Sequence, residues 1–255
     1  MKVLAFGAHP DDVEFRCSGT LSLLADRGWE VAIATVTGGG GGSMEHPAEV
    51  IRRIRLAEAK AAADLLGAQY VWAGGIDMDV DFRHDLRVKV VHVLRQVRPD
   101  VVITLPPGDY HSDHTETSAL VRAGCFFAPI PNYPEQSLEP IARVPRLYYM
   151  SAETDWYGRP FPVSFVVDVS DRRDLKERML VRHASQRNWI RDHHGTDDYV
   201  AALHGRAASM GARVGFGAGE GFIQHLGGGY PHDDPIGEAL ADRVRKTGEV
   251  LPFPT

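Results

Sequence analysis

An α/β fold, a parallel sheet flanked by helices with a smaller C-terminal α+β portion, is what this sequence predicts. Three observations carry the prediction. Short apolar, β-branched runs alternate with longer helical patterns through the first half of the chain. Those runs are apolar nearly throughout instead of alternating with polar residues, the pattern of strands covered on both faces. At 255 residues, 44% of them hydrophobic, the chain is long enough for one domain with a well-buried core.

The elements follow in order. Val3–Ala8 reads as the first strand and is followed by a helical stretch over Ser18–Arg27. Val31–Val36 is the second strand, and after five consecutive glycines comes a helix over Pro47–Leu66. Its segment EVIRRIRLAEAKAAADLLG joins strong helix formers to apolar residues at helical spacing and stops at Gly67 as a C-cap would. A strand at Tyr70–Ala73, a helix at Phe82–Val97 and a strand at Val101–Leu105 complete the alternation. Five prolines between Pro129 and Pro145 then break it and read as an extended connection. The C-terminal portion holds strands at Leu147–Met150 and Phe165–Val169, a helix from Asp171 to about Trp189, and another over Tyr199–Met210. Residues 1–226 are read as the domain, and 227–255, rich in Gly, Pro and Asp, as an irregular extension packed on the domain or on a neighbouring subunit.

Charge and cysteine usage narrow the function. With 28 Lys and Arg against 34 Asp and Glu, the net charge of −6 gives no basic footprint for nucleic acid or an anionic membrane. Cys17 and Cys125 are too few for a disulfide framework or a thiolate zinc site and read as small core residues, so any metal has to use histidine and carboxylate. The start, MKVLAFGAHPDD, meets His9 and two aspartates too early for a signal peptide. No run approaches the roughly 20 apolar residues of a membrane span, and a cytoplasmic protein is the expectation.

In open parallel sheets ligands bind where loops leave the carboxyl ends of strands. Directly after the first strand stands AHPDDVE, with His9, Asp11 and Asp12; directly after the fourth stands PGDYHSDH, with His111, Asp113 and His114. A doubly wound order places those strands side by side, so six titratable groups converge. Imidazole and carboxylate without thiolate suit a catalytic zinc with three protein ligands and an open position, and hydrolysis also uses the surplus groups as base and oxyanion donor. Turn formation and helix capping would account for either cluster alone, but not for two at equivalent strand ends.

AHPDDVE followed about a hundred residues later by HSDH resembles the PIG-L/LmbE-like family of zinc-dependent N-deacetylases, whose signatures are AHPDDE and HPDH. The likeness extends through Arg55, the Gly19-Thr20 pair and the late stretch GFGAGEGF, and spans roughly Lys2 to Phe222. Within the family it is similar to small bacterial members acting on N-acetylglucosaminyl conjugates and on chitin disaccharides. The resemblance implies a Rossmann-like domain in which His9, Asp12 and His114 bind Zn2+, with Fe2+ able to occupy a similar site. It implies Asp11 as general base, His111, when protonated, as stabiliser of the tetrahedral intermediate or proton donor to the amine, and Asp113 as the residue orienting His111. Arg55 matches an arginine that holds a sugar hydroxyl, Asp77 an aspartate on a substrate-facing loop. The expected reaction removes an acetyl group from an N-acetylglucosamine-type sugar or conjugate and releases acetate; amide hydrolysis on a larger sugar-thiol or natural-product conjugate is the alternative. Homo-oligomers, hexamers among them, are implied as well.

The chain also departs from that pattern. Ser112 replaces a proline. Arg16 replaces a small residue near the site and reads either as surface packing or as a charge offered to an acidic substrate. Tyr110 stands one residue out of register with a tyrosine that steadies the oxyanion in some members. His183 opens HASQ, read as support for a helix contact or a subunit interface, and His193 and His194 read as a solvated loop. Gly38, Gly39, Gly40, Gly41 and Gly42 replace mixed polar residues. A phosphate- or nucleotide-binding module would use such a loop, but the lysine of a P-loop is missing, and the glycines read as a mobile rim over the metal pocket.

Overall fold

Strand β1 (Lys2–Gly7) is an interior strand of the sheet that positions everything else. The protein is described by a computed structural model covering residues 1–133, 138–152, 154, 158–188 and 198–249. Helices α1 (Asp12–Arg16) and α2 (Ser18–Asp26) lead to β2 (Glu30–Thr37), α3 (Ala48–Ala63), β3 (Gln69–Gly75), α4 (His84–Val97), β4 (Val101–Thr104) and α5 (Ser112–Phe127). The C-terminal portion consists of β5 (Arg146–Met150), β6 (Phe165–Asp168), α6 (Arg173–Leu180), α7 (Tyr199–Ala212), β7 (Gly219–Gln224), α8 (Pro235–Ala239) and β8 (Val244–Lys246). These strands form one sheet in the order β3-β2-β1-β4-β5-β7-β6-β8. The first five are parallel, and β7, β6 and β8 join antiparallel, which is the expected α/β sheet with its C-terminal α+β portion.

Both faces are covered, as the unbroken apolar strands require. Val3, Ala5, Ile33, Val101 and Ile103 face one side, with Leu21 and Leu24 of α2 and Met179 of α6. Leu4, Phe6, Ala32, Ala34 and Val102 face the other, with Val90 and Leu94 of α4 and Leu120 and Val121 of α5. Each valine, leucine, isoleucine, phenylalanine or methionine among them, removed from water, stabilises the fold by about 1.5–3 kcal/mol.

Two expectations need correction, and one strand joins those that were expected. The helix beginning near Asp171 is interrupted: α6 ends at Leu180, a turn follows, and a helical run resumes at 184–188, beyond which Trp189 and the pair His193 and His194 lie outside the described residues. Strand β7 was hidden in GFGAGEGF because its glycines look like a loop. They are there for contact: a Cβ at Gly219 would sit 2.4 Å from Val166 Cγ1 and one at Gly221 2.7 Å from Met210 Sδ, so side chains would drive neighbouring elements apart. The tail is not irregular throughout, since it supplies α8 and then β8, which pairs with β6 from Val244↔Val167 to Lys246↔Phe165. Among the described residues no helix is long and apolar enough to cross a membrane.

Strands β1 and β4 are hydrogen-bonded neighbours in register from Val3↔Val101 to Phe6↔Thr104. The chain leaves β1 toward β2 on one side and returns from β3 to β4 on the other. The crevice at this reversal of winding is where ligands bind in such sheets, and the loops after β1, β2 and β4 all open onto it.

Candidate active site

Asp12 heads α1 immediately after β1, and one of its oxygens is fixed by the backbone: Oδ2 accepts from the N–H groups of Ala8 at 2.8 Å and His9 at 2.9 Å. Oδ1 faces His114 Nε2 at 3.3 Å. Each histidine is held from behind. His9 Nε2 bonds Asp113 Oδ2 at 3.0 Å, and His114 Nδ1 lies 3.0 Å from Asp109 Oδ1. With those nitrogens engaged as donors, His9 Nδ1 and His114 Nε2 are left toward Asp12, 3.9 Å from its Oδ2 and 3.3 Å from its Oδ1. The donor atoms of His9, Asp12 and His114 all lie within 4.8 Å of each other. Two imidazoles and a carboxylate, each imidazole backed by a carboxylate, form a donor set suited to Zn2+. A second grouping, His9 with His111 and Asp113, meets the same distance limit. There, however, Asp113 Oδ2 is already bonded to His9 and to the Met78 N–H at 2.7 Å.

Asp11 adopts φ 108°, an uncommon conformation for a residue with a side chain, which turns it away from Asp12. Its Oδ2 accepts a 2.7 Å hydrogen bond from Tyr199 on α7 and lies 3.6 Å from Arg55 Nη2. Burial raises its pKa above the ordinary carboxyl value, against the opposing charges of Arg55 and His183. Asp12 is the opposite case. Burial would push it up, but the charges of His114 and His9 prevail and hold it well below the usual range. Two adjacent carboxylates thus differ in basicity because their surroundings differ.

His111 caps α5, its Nδ1 accepting from the Asp113 N–H at 3.1 Å, so the ring proton resides on Nε2. Burial and the neighbouring His9 and His114 keep its pKa below the ordinary value. The carboxylate of Asp113 turns to His9, and only its backbone reaches His111.

Arg16 is not surface packing. Its side chain is 4% exposed and bonds Asp109 Oδ2 at 2.9 Å, with its second terminal nitrogen 3.3 Å from His114 Nδ1. Arg55 is buried too, donating to Pro10 O at 2.6 Å and Gly39 O at 3.4 Å. Tyr110 stands at the rim, 82% exposed, its ring edge-on to His111 and His114. A cavity of about 530 Å³ opens over His9, Asp11, Asp12, His111 and His114, bounded by Phe15, Arg55, Asp77, Tyr110, Tyr199 and Arg206. Gly41 and Gly42 line it. The N–H groups of Gly39 and Gly41 donate to Asp77, so two donors that a phosphate cradle would need are already taken.

Residues 4–125 match the PIG-L family, described as GlcNAc-PI de-N-acetylase. A 1D-myo-inositol 2-acetamido-2-deoxy-alpha-D-glucopyranoside deacetylase from Rhodococcus erythropolis is 31% identical over 239 residues, covering 72% of this chain and 81% of the relative. The chain belongs to the PIG-L family. A diacetylchitobiose deacetylase from Thermococcus kodakarensis is 28% identical over 191 residues, 72% of this chain and 70% of that protein. The solved structure of an N,N'-diacetylchitobiose deacetylase from Pyrococcus horikoshii superimposes with a TM-score of 0.73 at 25% identity, covering 88% of this chain and 83% of its own.

With this PIG-L family member in view, the residues that sequence reading missed can be named. Asp109 backs His114, Tyr199 holds Asp11, and Glu220 on β7 accepts from the Gly19 and Thr20 N–H groups at 2.9 and 2.7 Å while pairing with buried Lys176. Glu220 thereby ties together the Gly19-Thr20 pair and GFGAGEGF. His183, wholly buried, supports a helix contact, 3.2 Å from Glu14 on α1.

Proposed function

We propose that this protein is a zinc-dependent N-deacetylase that removes the acetyl group from an N-acetylglucosamine-type sugar carried in a conjugate. The observation that carries the reading is the His9, Asp12 and His114 donor set with the carboxylate of Asp11, raised in pKa, facing the same cavity. The deacetylases of N-acetylated sugars among its relatives support the substrate class.

His9, Asp12 and His114 would hold the zinc, which when bound supplies a Lewis acid for the amide carbonyl and lowers the pKa of water. Asp11 takes the proton of the attacking water at a carboxylate oxygen, its orientation set by the Tyr199 hydroxyl and Arg55. The His111 Nε2–H donates to the oxygen on which negative charge develops. Asp11, now protonated, returns the proton to the departing nitrogen, leaving acetate and a free amine. Arg55, Asp77, Tyr110 and Arg16 line the cavity in which the sugar and its substituent would lie, with the Arg16 guanidinium bonded to Asp109.

A cavity of about 530 Å³ is in the range that encloses a drug-sized ligand, which favours a conjugate over a free monosaccharide. The test is metal analysis of the purified protein together with acetate release from a panel of N-acetylglucosaminyl conjugates. Zinc near one equivalent and chelator-sensitive acetate release are expected. Release of a bulkier acid, with N-acetyl sugars untouched, would instead identify an amidase of larger conjugates.

A further inference from the structure

Between the five-glycine loop and the metal-facing histidines lies the short turn after β3, and two consecutive residues of it face in different directions. Asp77 Oδ1 accepts from the Gly39 N–H and Oδ2 from the Gly41 N–H, both at 2.9 Å. The next N–H along the chain, that of Met78, donates to Asp113 Oδ2 at 2.7 Å, the same oxygen that bonds His9 Nε2 at 3.0 Å. Met78 holds φ 64°, a left-handed conformation that costs a non-glycine residue about 1–2 kcal/mol. Met78 is 75% exposed, so burial does not offset that cost, and the interaction made at this position is the backbone hydrogen bond to Asp113.

The loop itself is seated. A Cβ at Gly39 would fall 2.5 Å from Arg55 Nε, one at Gly42 2.7 Å from Arg55 Nη1, and one at Gly41 3.2 Å from Asp77 Cβ. Glycine is used here because the backbone lies directly against the arginine and the aspartate.

We propose that Asp77 is a positioning residue: it clamps the glycine loop as one wall of the cavity and, through the Met78 N–H on Asp113, couples the seating of that wall to the orientation of His9. Both carboxylate oxygens are committed to the loop, so its primary duty is to the backbone. The loop and the metal-facing imidazole then behave as one unit, joined by the chain Gly39 and Gly41, Asp77, Met78, Asp113, His9. Only the zinc arm of the following test rests on the metal-hydrolase reading.

The experiment compares wild type with Asp77→Asn, Asp77→Ala and, on the same turn, Asp79→Asn, by amide hydrogen exchange over residues 38–42 and by zinc affinity in competition with a chromogenic chelator. An asparagine has one acceptor oxygen and an NH2 that faces a backbone N–H, so one of the two bonds is lost. Asp77→Asn is expected to speed exchange of the loop amides by about tenfold and to weaken zinc by about tenfold, the usual scale for disturbing a group behind a ligand. Exchange in peptides of α4 stays unchanged, and Asp79→Asn resembles wild type in both readouts. Unchanged loop exchange in Asp77→Asn overturns the clamp, and unchanged zinc affinity with a faster loop overturns the coupling. Should Asp77→Ala fail to fold, Asp77→Asn decides alone. If wild type binds no zinc, the deacetylase reading fails while the loop arm still answers. A rise in KM alone, with both physical readouts at wild-type level, would return Asp77 to direct substrate contact.

Discussion

Replacing Arg16 by methionine removes the cation from an ion pair sealed against solvent. The two side chains are 4% and 0% exposed, 2.9 Å apart, and Arg16 also reaches toward Ser151 O at 3.4 Å. Removing one partner of a buried pair costs about 3–5 kcal/mol, because the other charge is left uncompensated. Asp109 keeps two partners, His114 Nδ1 at 3.0 Å and the His111 N–H at 3.3 Å, which points to the lower end, about 3 kcal/mol. In a chain of this size each kcal/mol moves Tm by about 2–4 °C, so a fall of about 6–12 °C is expected for the metal-free protein at pH 7. Arg16→Met combined with Asp109→Asn removes both charges and should recover about half of that loss. Burial pushes the Asp109 carboxyl up, but the His114 hydrogen bond and the Arg16 charge outweigh it and hold its pKa below the ordinary 3.8. A depressed carboxyl contributes stability that is present above the unfolded value and lost as pH falls through the folded one. The gap between wild type and Arg16→Met should therefore narrow as pH is lowered from 7 toward about 3. Thermal melts in the presence of chelator measure all of this. A single variant within about 2 °C of wild type, or a double variant no better than the single, would refute the buried-charge argument.

Two further outcomes follow from the same geometry. Gly39→Ala and Gly28→Ala both force a side chain into a left-handed backbone, φ 76° and 80°, but only Gly39 faces buried Arg55; nothing lies within 4 Å of a Cβ at Gly28. Urea melts should show Gly39→Ala at least about 1 kcal/mol the worse, and equal losses would mean that the loop does not rest on Arg55. Tyr199→Phe keeps the ring against Phe15, 5.0 Å between centroids, and removes only the donor to Asp11. It should cost about 1 kcal/mol of stability and lower kcat with zinc content intact, and an undiminished kcat would show that Asp11 is oriented without it.

The six groups of the centre were legible because each follows a strand that could itself be recognised, and because β1 and β4 prove to be neighbours. Asp109 was passed over for a local reason: in PGDY an aspartate beside glycine reads as a turn former. Arg16 misled because arginine is ordinarily exposed, and nothing in the linear sequence reveals that Asp109, 93 positions away, meets it. Tyr199 lies 188 positions from Asp11, and one tyrosine among eight carries no mark of that contact. Strand β7 was hidden by its own packing, since the glycines that permit close approach erase the β-branched signal. Local chemistry was readable; pairings made only by the folded sheet were not.

The bracket made by Glu220 has a consequence for how the chain reaches this structure. Helix α2 begins 18 residues in, yet the amides at its start find their acceptor some 200 residues later. As the chain emerges from the ribosome, AHPDD and HSDH are both present long before the strand that fixes the helix behind them. Contacts of such long sequence separation form late and slowly, since a long loop must close before they add any stability. Until β7 inserts between β5 and β6, Lys176 has no counter-ion in Glu220 and the Gly19 and Thr20 amides lack that acceptor. The start of α2 is therefore expected to gain its Glu220 acceptor only once β7 is made and paired.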